Sequence, residues 1–208
     1  MSCGIWYNKQ MCAVTADKHL RAARRQLMKH PTREECEELL EQYGTPEHVR
    51  DHCREVARTA FVTASALNEK GYALDLELIL AAGLLHDIAR VEDRHWDVGA
   101  DLMEKLGYEE ESRIIRVHMR YSPFSPIAEV TETDMVCLGD RLVKEDAYVG
   151  LDSRIEYIID KAKRNGKEDA IPIMLEKKED TKRFLDEIRS VIGMTVDELM
   201  MDNEKQEK

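Results

Sequence analysis

The 208-residue sequence predicts an all-α fold, a bundle of packed helices, on three observations. Apolar residues recur at spacings of three and four along most of the chain, as in helices with one buried face. Helix-start signals precede two of these segments: Thr32 to Glu35 has the capping-box pattern, and Thr45-Pro46 combines an N-cap residue with a proline at the first helical position. No segment of strand length alternates apolar and polar residues.

The segments of the chain differ in how clearly their sequences predict helices. No structure is assigned to residues 1–14, and the polar tail from residue 202 is predicted to be disordered. The predicted helices cover 17–30, 32–43, 46–68, a central stretch within 74–90, 95–106, 109–120, 127–148, 151–164, 167–182, 181–192 and 195–200. Tyr121 to Pro126 contains two prolines and predicts a rigid loop.

The composition excludes several classes of partner. A formal net charge of −11 argues against a nucleic-acid or anionic-membrane surface, both of which need clustered cations. A small anionic substrate stays compatible with it, because a metal and a few local cations can reverse the field inside a cleft. The cysteines at 3, 12, 36, 53 and 137 form no CxxC pair, and no apolar run is long enough to span a bilayer. With no signal segment at its start, the sequence predicts a cytoplasmic protein with reduced thiols.

The central stretch contains the first candidate site. Leu78 to Leu85 is apolar on nearly every side, which indicates a helix surrounded by other helices, and His86 and Asp87 follow it directly. An ionised aspartate in such a poorly hydrated place is costly unless a cation or hydrogen-bond donors compensate it. Imidazole and carboxylate are both good ligands for a divalent ion, so a metal held by the pair is the simplest compensation.

Further candidate ligands lie on the apolar faces of other predicted helices. Each is spaced three or four residues from apolar neighbours, and together they are His52, His95, His118 and Asp140. Each alone is explained as a core residue with a satisfied hydrogen bond. Together with His86 and Asp87 they make six candidate ligands, and the six together favour a metal site. Mixed imidazole and carboxylate ligands favour iron, manganese, cobalt, nickel or zinc over magnesium alone, and the lack of cysteine in the set argues against a structural zinc.

The order of these residues resembles the HD-domain superfamily of metal-dependent phosphohydrolases. Its defining pattern is met by His52 within HCREVARTA, His86 and Asp87 within GLLHDIAR, and Asp140 within LGDRLVKED. His95 and His118 look like the histidines of members that hold two metals. Some of those members have paired histidines at the later position, whereas Met119 follows His118 here.

The resemblance covers about residues 46–154 and implies a domain organisation. It predicts an HD-domain-like helical bundle with additional N- and C-terminal helices, in one compact domain overall. Residues 1–45 would form an N-terminal helical extension, 46–154 the HD metal-binding core, and 155–208 the C-terminal helices and polar tail.

The resemblance also implies an enzyme that hydrolyses a phosphomonoester or phosphodiester of a small molecule, a nucleotide foremost. One or two divalent ions, magnesium included, would lower the pKa of bound water from about 16 towards roughly 7. Asp87 would be a ligand and orient the nucleophile. Arg90 and Lys144, each one turn beyond a ligand, are predicted to hold the phosphate, with surface ion pairing as the alternative for both.

Two other classes of function stay open at this point. The chain could be a metal-containing ligand-binding or regulatory HD module without turnover, which predicts bound metal but no phosphate release. It could also be a structural helical protein whose histidines belong to the core, which predicts no metal. The sequence does not indicate the oligomeric state.

Overall fold

A computed structural model describes residues 30–206 of the chain. The predictions that concern residues 1–29, the helix over 17–30 among them, lie outside the described residues. Contacts divide the chain into two units, residues 1–30 and 31–208, and the fold below is that of the second unit.

The described chain is mainly helical, which confirms the predicted all-α class. Its α-helices are α1 Arg33–Tyr43, α2 Glu47–Glu69, α3 Leu76–Leu85, α4 His95–Leu106, α5 Glu109–Val117, α6 Glu132–Leu142, α7 Gly150–Arg164, α8 Ile171–Ile192 and α9 Val196–Gln206. Single 3-10 turns cover Ile127–Glu129 and Glu168–Ala170. The strands β1 (Val143–Lys144) and β2 (Ala147–Tyr148) pair antiparallel, with Val143 opposite Tyr148. None of the helices described is both long enough and apolar enough to cross a membrane.

The start of α1 follows the predicted capping box, whereas the start of α2 does not follow its predicted cap. The Thr32 hydroxyl accepts a hydrogen bond from the Glu35 amide at 3.2 Å, and the Glu35 carboxylate accepts one from the Thr32 amide at 2.8 Å. Thr45 makes no such cap; its buried hydroxyl donates to the Ile88 carbonyl at 2.7 Å. The predicted Thr45 cap is therefore wrong, because this hydroxyl joins the start of α2 to the turn that follows His86 and Asp87.

Two glycines let α3 and α6 approach α2 at backbone distance. A Cβ atom on Gly83 of α3 would lie 2.7 Å from the Ala57 Cα atom, and one on Gly139 of α6 would lie 2.7 Å from the Val56 carbonyl oxygen. Both contacts fall on consecutive residues of α2, so this helix is held between the other two. The candidate ligands follow directly: Asp140 is the next residue after one glycine, and His86 lies three residues after the other.

Two hydrophobic clusters surround this three-helix centre. One joins α2, α3, α6, α8 and α9 and includes Phe124, whose ring stacks on Phe184 with centroids 4.6 Å apart. The other joins α1, the C-terminal half of α3, α4 and α5, with Leu40, Leu85 and Met103 fully buried. The central helix is thus buried on all sides, as its uniform apolar sequence predicts.

Several predicted boundaries are wrong. Helix α6 ends at Leu142, not near Tyr148, because the chain turns into the β1–β2 hairpin. Helix α5 ends at Val117, not at Arg120, so that His118 lies at its C-terminal cap.

The C-terminal part forms fewer and longer helices than the sequence predicts. One continuous helix, α8, replaces the two predicted over 167–182 and 181–192, and ion pairs along its face, such as Arg183 with Glu187 at 2.5 Å, accompany the polar sequence. Helix α9 continues to Gln206 through the segment predicted to be disordered, where Lys205 pairs with Asp202 at 2.8 Å.

Candidate metal centre

His86 lies at the C-terminal cap of α3 with its ring fixed by the helix backbone. Its Nδ1 atom is 2.8 Å from the Gly83 carbonyl oxygen, and because a carbonyl only accepts, Nδ1 carries the proton. The lone pair is therefore on Nε2. That atom is buried and has no hydrogen-bond partner.

Two further histidines are held in the same way. Nδ1 of His52 donates to the Glu145 carbonyl at 2.8 Å, and Nδ1 of His118 donates to the Ile115 carbonyl at 2.7 Å. Glu145 adopts a φ of 54° in the hairpin turn, and the hairpin is therefore part of the support for His52. A backbone carbonyl on the outer ring nitrogen is the common way in which proteins orient a metal-binding histidine.

The inward lone pairs converge on two carboxylates. Asp140 Oδ1 is 3.2 Å from His52 Nε2 and 4.0 Å from His86 Nε2, while Asp87 Oδ2 is 3.7 Å from His86 Nε2. Ligand atoms of His52, His86 and Asp87 all lie within 4.8 Å of one another. A nitrogen lone pair facing a carboxylate oxygen is unfavourable unless a proton or a cation lies between them.

A second group of ligand-type atoms shares Asp87. Its Oδ1 atom is 3.1 Å from His95 Nε2 and 3.5 Å from His118 Nε2, and all three residues offer atoms within 4.8 Å of one another. The two oxygens of Asp87 thus face different histidines. A carboxylate in this position is suited to bridging two ions about 4 Å apart, the spacing of two-metal hydrolases.

The charge states of the buried groups also suit a cation. Burial lowers the pKa of His86 to about 4, so this ring is neutral. Burial would raise the pKa of both carboxylates, but the imidazole groups around them, His86 foremost for Asp87 and His52 foremost for Asp140, hold the pKa of each well below its usual range. For His52 and His118, burial lowers the pKa, but the nearby carboxylates of Asp140 and Asp87 outweigh it and the pKa is raised.

The residues present fit a divalent metal. His86 Nε2, Asp87 Oδ1 and His118 Nε2 are buried without a hydrogen-bond partner, and such an atom costs about 1–3 kcal/mol when left unsatisfied. Divalent ions held by the two ligand groups would satisfy these atoms. Neither of the two ligand groups contains a cysteine. The identity of the metal, and the binding itself, stay predictions.

The metal centre lies at one side of a cleft of about 540 Å³. Arg90 lines this cleft, donates from Nη1 to His95 Nε2 at 3.0 Å, and places Nε 3.5 Å from Asp87 Oδ2. Its guanidinium therefore lies beside the second ligand group, where it could contact a bound phosphate.

Lys144, the other predicted phosphate ligand, lies elsewhere. Because α6 ends at Leu142, Lys144 is in strand β1 and not one helical turn beyond Asp140 as predicted. Its ammonium lies over the ring of Tyr157, 4.6 Å from the centroid, and Lys144 is not among the residues that line the cleft.

Arg154 of α7 is a cleft residue that the sequence analysis missed. Its Nη2 atom is 3.9 Å from Asp140 Oδ1, and its Nε atom is buried without a partner. The signal available in the sequence was the series Arg154, Ile158 and Lys161, whose spacings of four and three put cations and an apolar residue on one helix face. Lys177 of α8 also lines the cleft and was hidden by the wrong division of that helix.

Comparison with known proteins identifies the part of the chain that contains the candidate metal centre. The HD domain family matches residues 49–145, slightly less than half of the chain. This chain contains an HD domain. The match includes all six candidate ligands and strand β1, and it ends before β2, α7 and α8. HD domains are generally metal-dependent hydrolases that bind divalent ions, and the two ligand groups of this chain are of the kind that could hold them.

Two curated relatives match different lengths of the chain. An uncharacterized protein of Methanocaldococcus jannaschii is 40% identical over 72 residues, which make up 33% of this chain and 43% of that protein. A tRNA (cytidine(56)-2'-O)-methyltransferase of Thermoplasma volcanium is 26% identical over 185 residues, 81% of this chain and 50% of that protein. The chain thus spans half or less of the length of these relatives, and their names give no specific activity for it. No solved structure matches the chain.

Proposed function

We propose that this protein is a metal-dependent phosphohydrolase that cleaves a phosphomonoester or phosphodiester bond of a small molecule, a nucleotide foremost. One observation carries the proposal: histidine lone pairs fixed by backbone carbonyls converge with two ionised carboxylates beside a cleft that contains arginines. This arrangement suits a divalent ion and an anionic substrate together.

The bound ion would supply a nucleophilic water at neutral pH and would neutralise charge on the phosphoryl oxygens. Asp87, through its two oxygens, would hold the metal centre together and orient the attacking group. The guanidinium groups of Arg90 and Arg154 lie near Asp87 and Asp140, at 3.5 and 3.9 Å. Each can donate two parallel hydrogen bonds to a phosphate, and together they would fix the phosphoryl group beside the ligands.

The charge distribution supports a small substrate. The chain has 42 acidic and 31 basic residues, so most of its surface repels polyanions. The cleft differs, since Arg90, Arg154, Lys161 and Lys177 line it together. We therefore propose a small phosphorylated molecule as the partner, and neither nucleic acid nor a membrane.

The test is phosphate release from a panel of substrates by protein stripped with chelator and then reloaded. The panel contains nucleoside monophosphates, 4-nitrophenyl phosphate, bis(4-nitrophenyl) phosphate and cyclic nucleotides, with manganese, cobalt, nickel, zinc, iron or magnesium added. We expect release only after reloading. Asp140→Asn should abolish it, while Asp146→Asn, a change at an exposed acid of the hairpin outside both ligand groups, should retain it.

Two results would contradict the proposal. Release that is unaffected by chelator would remove the metal from the reaction. Metal-loaded protein that releases phosphate from no member of the panel would instead favour a regulatory HD module without turnover.

A further inference from the structure

The outer wall of the cleft lies beyond the HD match and is formed by α7 and α8. Arg154, Ile158 and Lys161 are spaced by four and three residues on α7 and all line the cleft. On α8 the lining residues have the same kind of spacing; they are Met174, Lys177 and Thr181. Each helix thus presents one face to the cleft.

The two ends of this wall can be assigned. Lys178 of α8 pairs with Asp152 of α7, Nζ to Oδ1, at 2.6 Å, which joins the start of α7 to the middle of α8 in an antiparallel pair. Arg154 is 3.9 Å from the candidate ligand Asp140, so the start of α7 lies at the metal end. Lys161 is two helical turns further along α7, about 10 Å at 1.5 Å per residue. It therefore lies at the end of the wall away from the metal centre.

The wall between these two cations is apolar. The residues that line it are Ile155, Tyr157 and Ile158 of α7, Met174 of α8, and Met119, which follows α5. Such a surface does not solvate charge, but it fits the ring or carbon skeleton of an organic molecule. The lining of the cleft therefore changes along its length, from the candidate metal ligands with an arginine, through an apolar middle, to a lysine.

The cations of the cleft differ in how far they are already engaged. Arg141 donates to Thr181 and to the Tyr121 carbonyl and stacks over Phe124, so it holds the fold together. Lys177 is partly buried and donates to the Met119 carbonyl at 3.0 Å.

Lys161 is different from these two residues. It is exposed and forms no ion pair within the described residues, whereas Lys163, two residues further on, lies 3.9 Å from Asp160. A lysine without a carboxylate partner, in a chain with an excess of acids, is free to bind an anion that enters the cleft.

We infer that Lys161 binds a second phosphate group of the substrate, while the apolar middle of the cleft holds the carbon skeleton between the two phosphates. The substrate class is then a small bisphosphorylated compound, with the hydrolysed phosphate at the metal centre and the retained one at Lys161. This inference rests on the proposed function and deepens it.

The experiment compares matched pairs of substrates on metal-loaded protein. Adenosine 5'-monophosphate is paired with adenosine 3',5'-bisphosphate, and fructose 6-phosphate with fructose 1,6-bisphosphate, and KM and kcat for phosphate release are measured. We expect at least one bisphosphate to have a KM about tenfold lower than its partner at similar kcat, because a charge-assisted contact is added in the bound state. Lys161→Ala should remove this difference. Lys163→Ala, on the same helix but outside the cleft, should keep the difference.

Other outcomes separate this inference from the proposed function. Equal KM values within both pairs, or the same result for the two lysine variants, would overturn the lysine subsite while hydrolysis stands. If no compound is hydrolysed, calorimetric titration of the metal-loaded protein with the bisphosphates tests whether the lysine subsite exists. Binding that Lys161→Ala removes would support the subsite without turnover, and no binding would overturn it.

Discussion

The two ends of the cleft are built by different means. At the metal end, the side chains of His86 and His118 are 0% and 1% exposed, and helices α2, α3 and α6 pack at backbone distance through Gly83 and Gly139. At the other end, Lys161 is exposed, and a surface ion pair of Lys178 with Asp152 joins α7 to α8.

The difference has energetic consequences. Close-packed interiors tolerate little displacement, so the candidate ligands are held in position before any ion binds. Exposed ion pairs contribute only about 0–1 kcal/mol each, so the α7–α8 wall is the more adaptable part. Under the proposed function, the chemistry would therefore belong to the HD core, and the choice of substrate to helices outside it. The predictions below test this division, from the largest expected effect to the smallest.

The largest effect is expected for Asp87→Ala at the metal end. The variant should lose bound metal and at least about 100-fold of its phosphate release, because this carboxylate belongs to both ligand groups. Its helices should remain folded, since a buried carboxylate without its cation does not stabilise the packing. Metal content, phosphate release and circular dichroism measure these three properties. Asp93→Ala, an exposed acid in the same turn segment, is the control. Loss of the helical signal in Asp87→Ala would make this residue structural.

Arg154→Ala should separate substrate binding from metal binding. We expect KM for a phosphomonoester to rise by about tenfold or more, because an Arg–phosphate contact with two hydrogen bonds is lost. Metal content should stay that of the wild type, as Arg154 contributes no ligand atom. Arg154→Lys should recover part of the loss, since lysine restores the charge but not the paired geometry. A fall in metal content in Arg154→Ala would show that α7 belongs to the metal centre.

Gly83→Ala tests the close packing at the metal end. The new Cβ atom would lie 2.7 Å from the Ala57 Cα atom, and because backbone has to move, we expect a loss of about 1–3 kcal/mol in the free energy of unfolding. Urea denaturation measures it. In Gly99→Ala the nearest atom is the Ile88 Cγ2 atom at 3.2 Å, a side-chain contact, and the loss should be smaller. Equal losses for the two variants would contradict the importance of the α2–α3 contact.

Lys144→Ala should have the smallest effect. Its ammonium lies over the ring of Tyr157, and Lys144 itself does not line the cleft. Removing the side chain should therefore cost about 0.5–1 kcal/mol of stability and leave KM within about twofold. Thermal unfolding and phosphate-release kinetics are the measurements. A KM increase as large as that of Arg154→Ala would instead support the phosphate contact that the sequence predicts for Lys144.

The difference between the two ends of the cleft also explains what could be predicted from the sequence. The capping box at Thr32 acts within one turn, so the structure reproduces it, whereas the Thr45 hydroxyl bonds to the distant Ile88 carbonyl and makes no cap. The candidate ligands could be predicted because four of them are spaced three or four residues from apolar neighbours, while His86 and Asp87 directly follow the apolar helix α3, and both patterns indicate side chains that point inward. Lys144 could not be placed, because the turn into the β1–β2 hairpin depends on contacts with other elements. Arg154 was missed since α7 is polar on several sides, and only its packing against α8 determines which cations face the cleft.

The most direct test of the account is the location of the metal itself. Crystals of the protein grown with manganese, measured near the manganese absorption edge, would show the ion as an anomalous peak. The account predicts a peak at about 2.0–2.2 Å from ligand atoms of His52, His86, Asp87 and Asp140. A second peak within about 4 Å, beside His95 and His118, would show a two-metal centre. No peak at saturating manganese, or a peak away from Asp87, would contradict the central claim that the HD core of this chain is a metal centre.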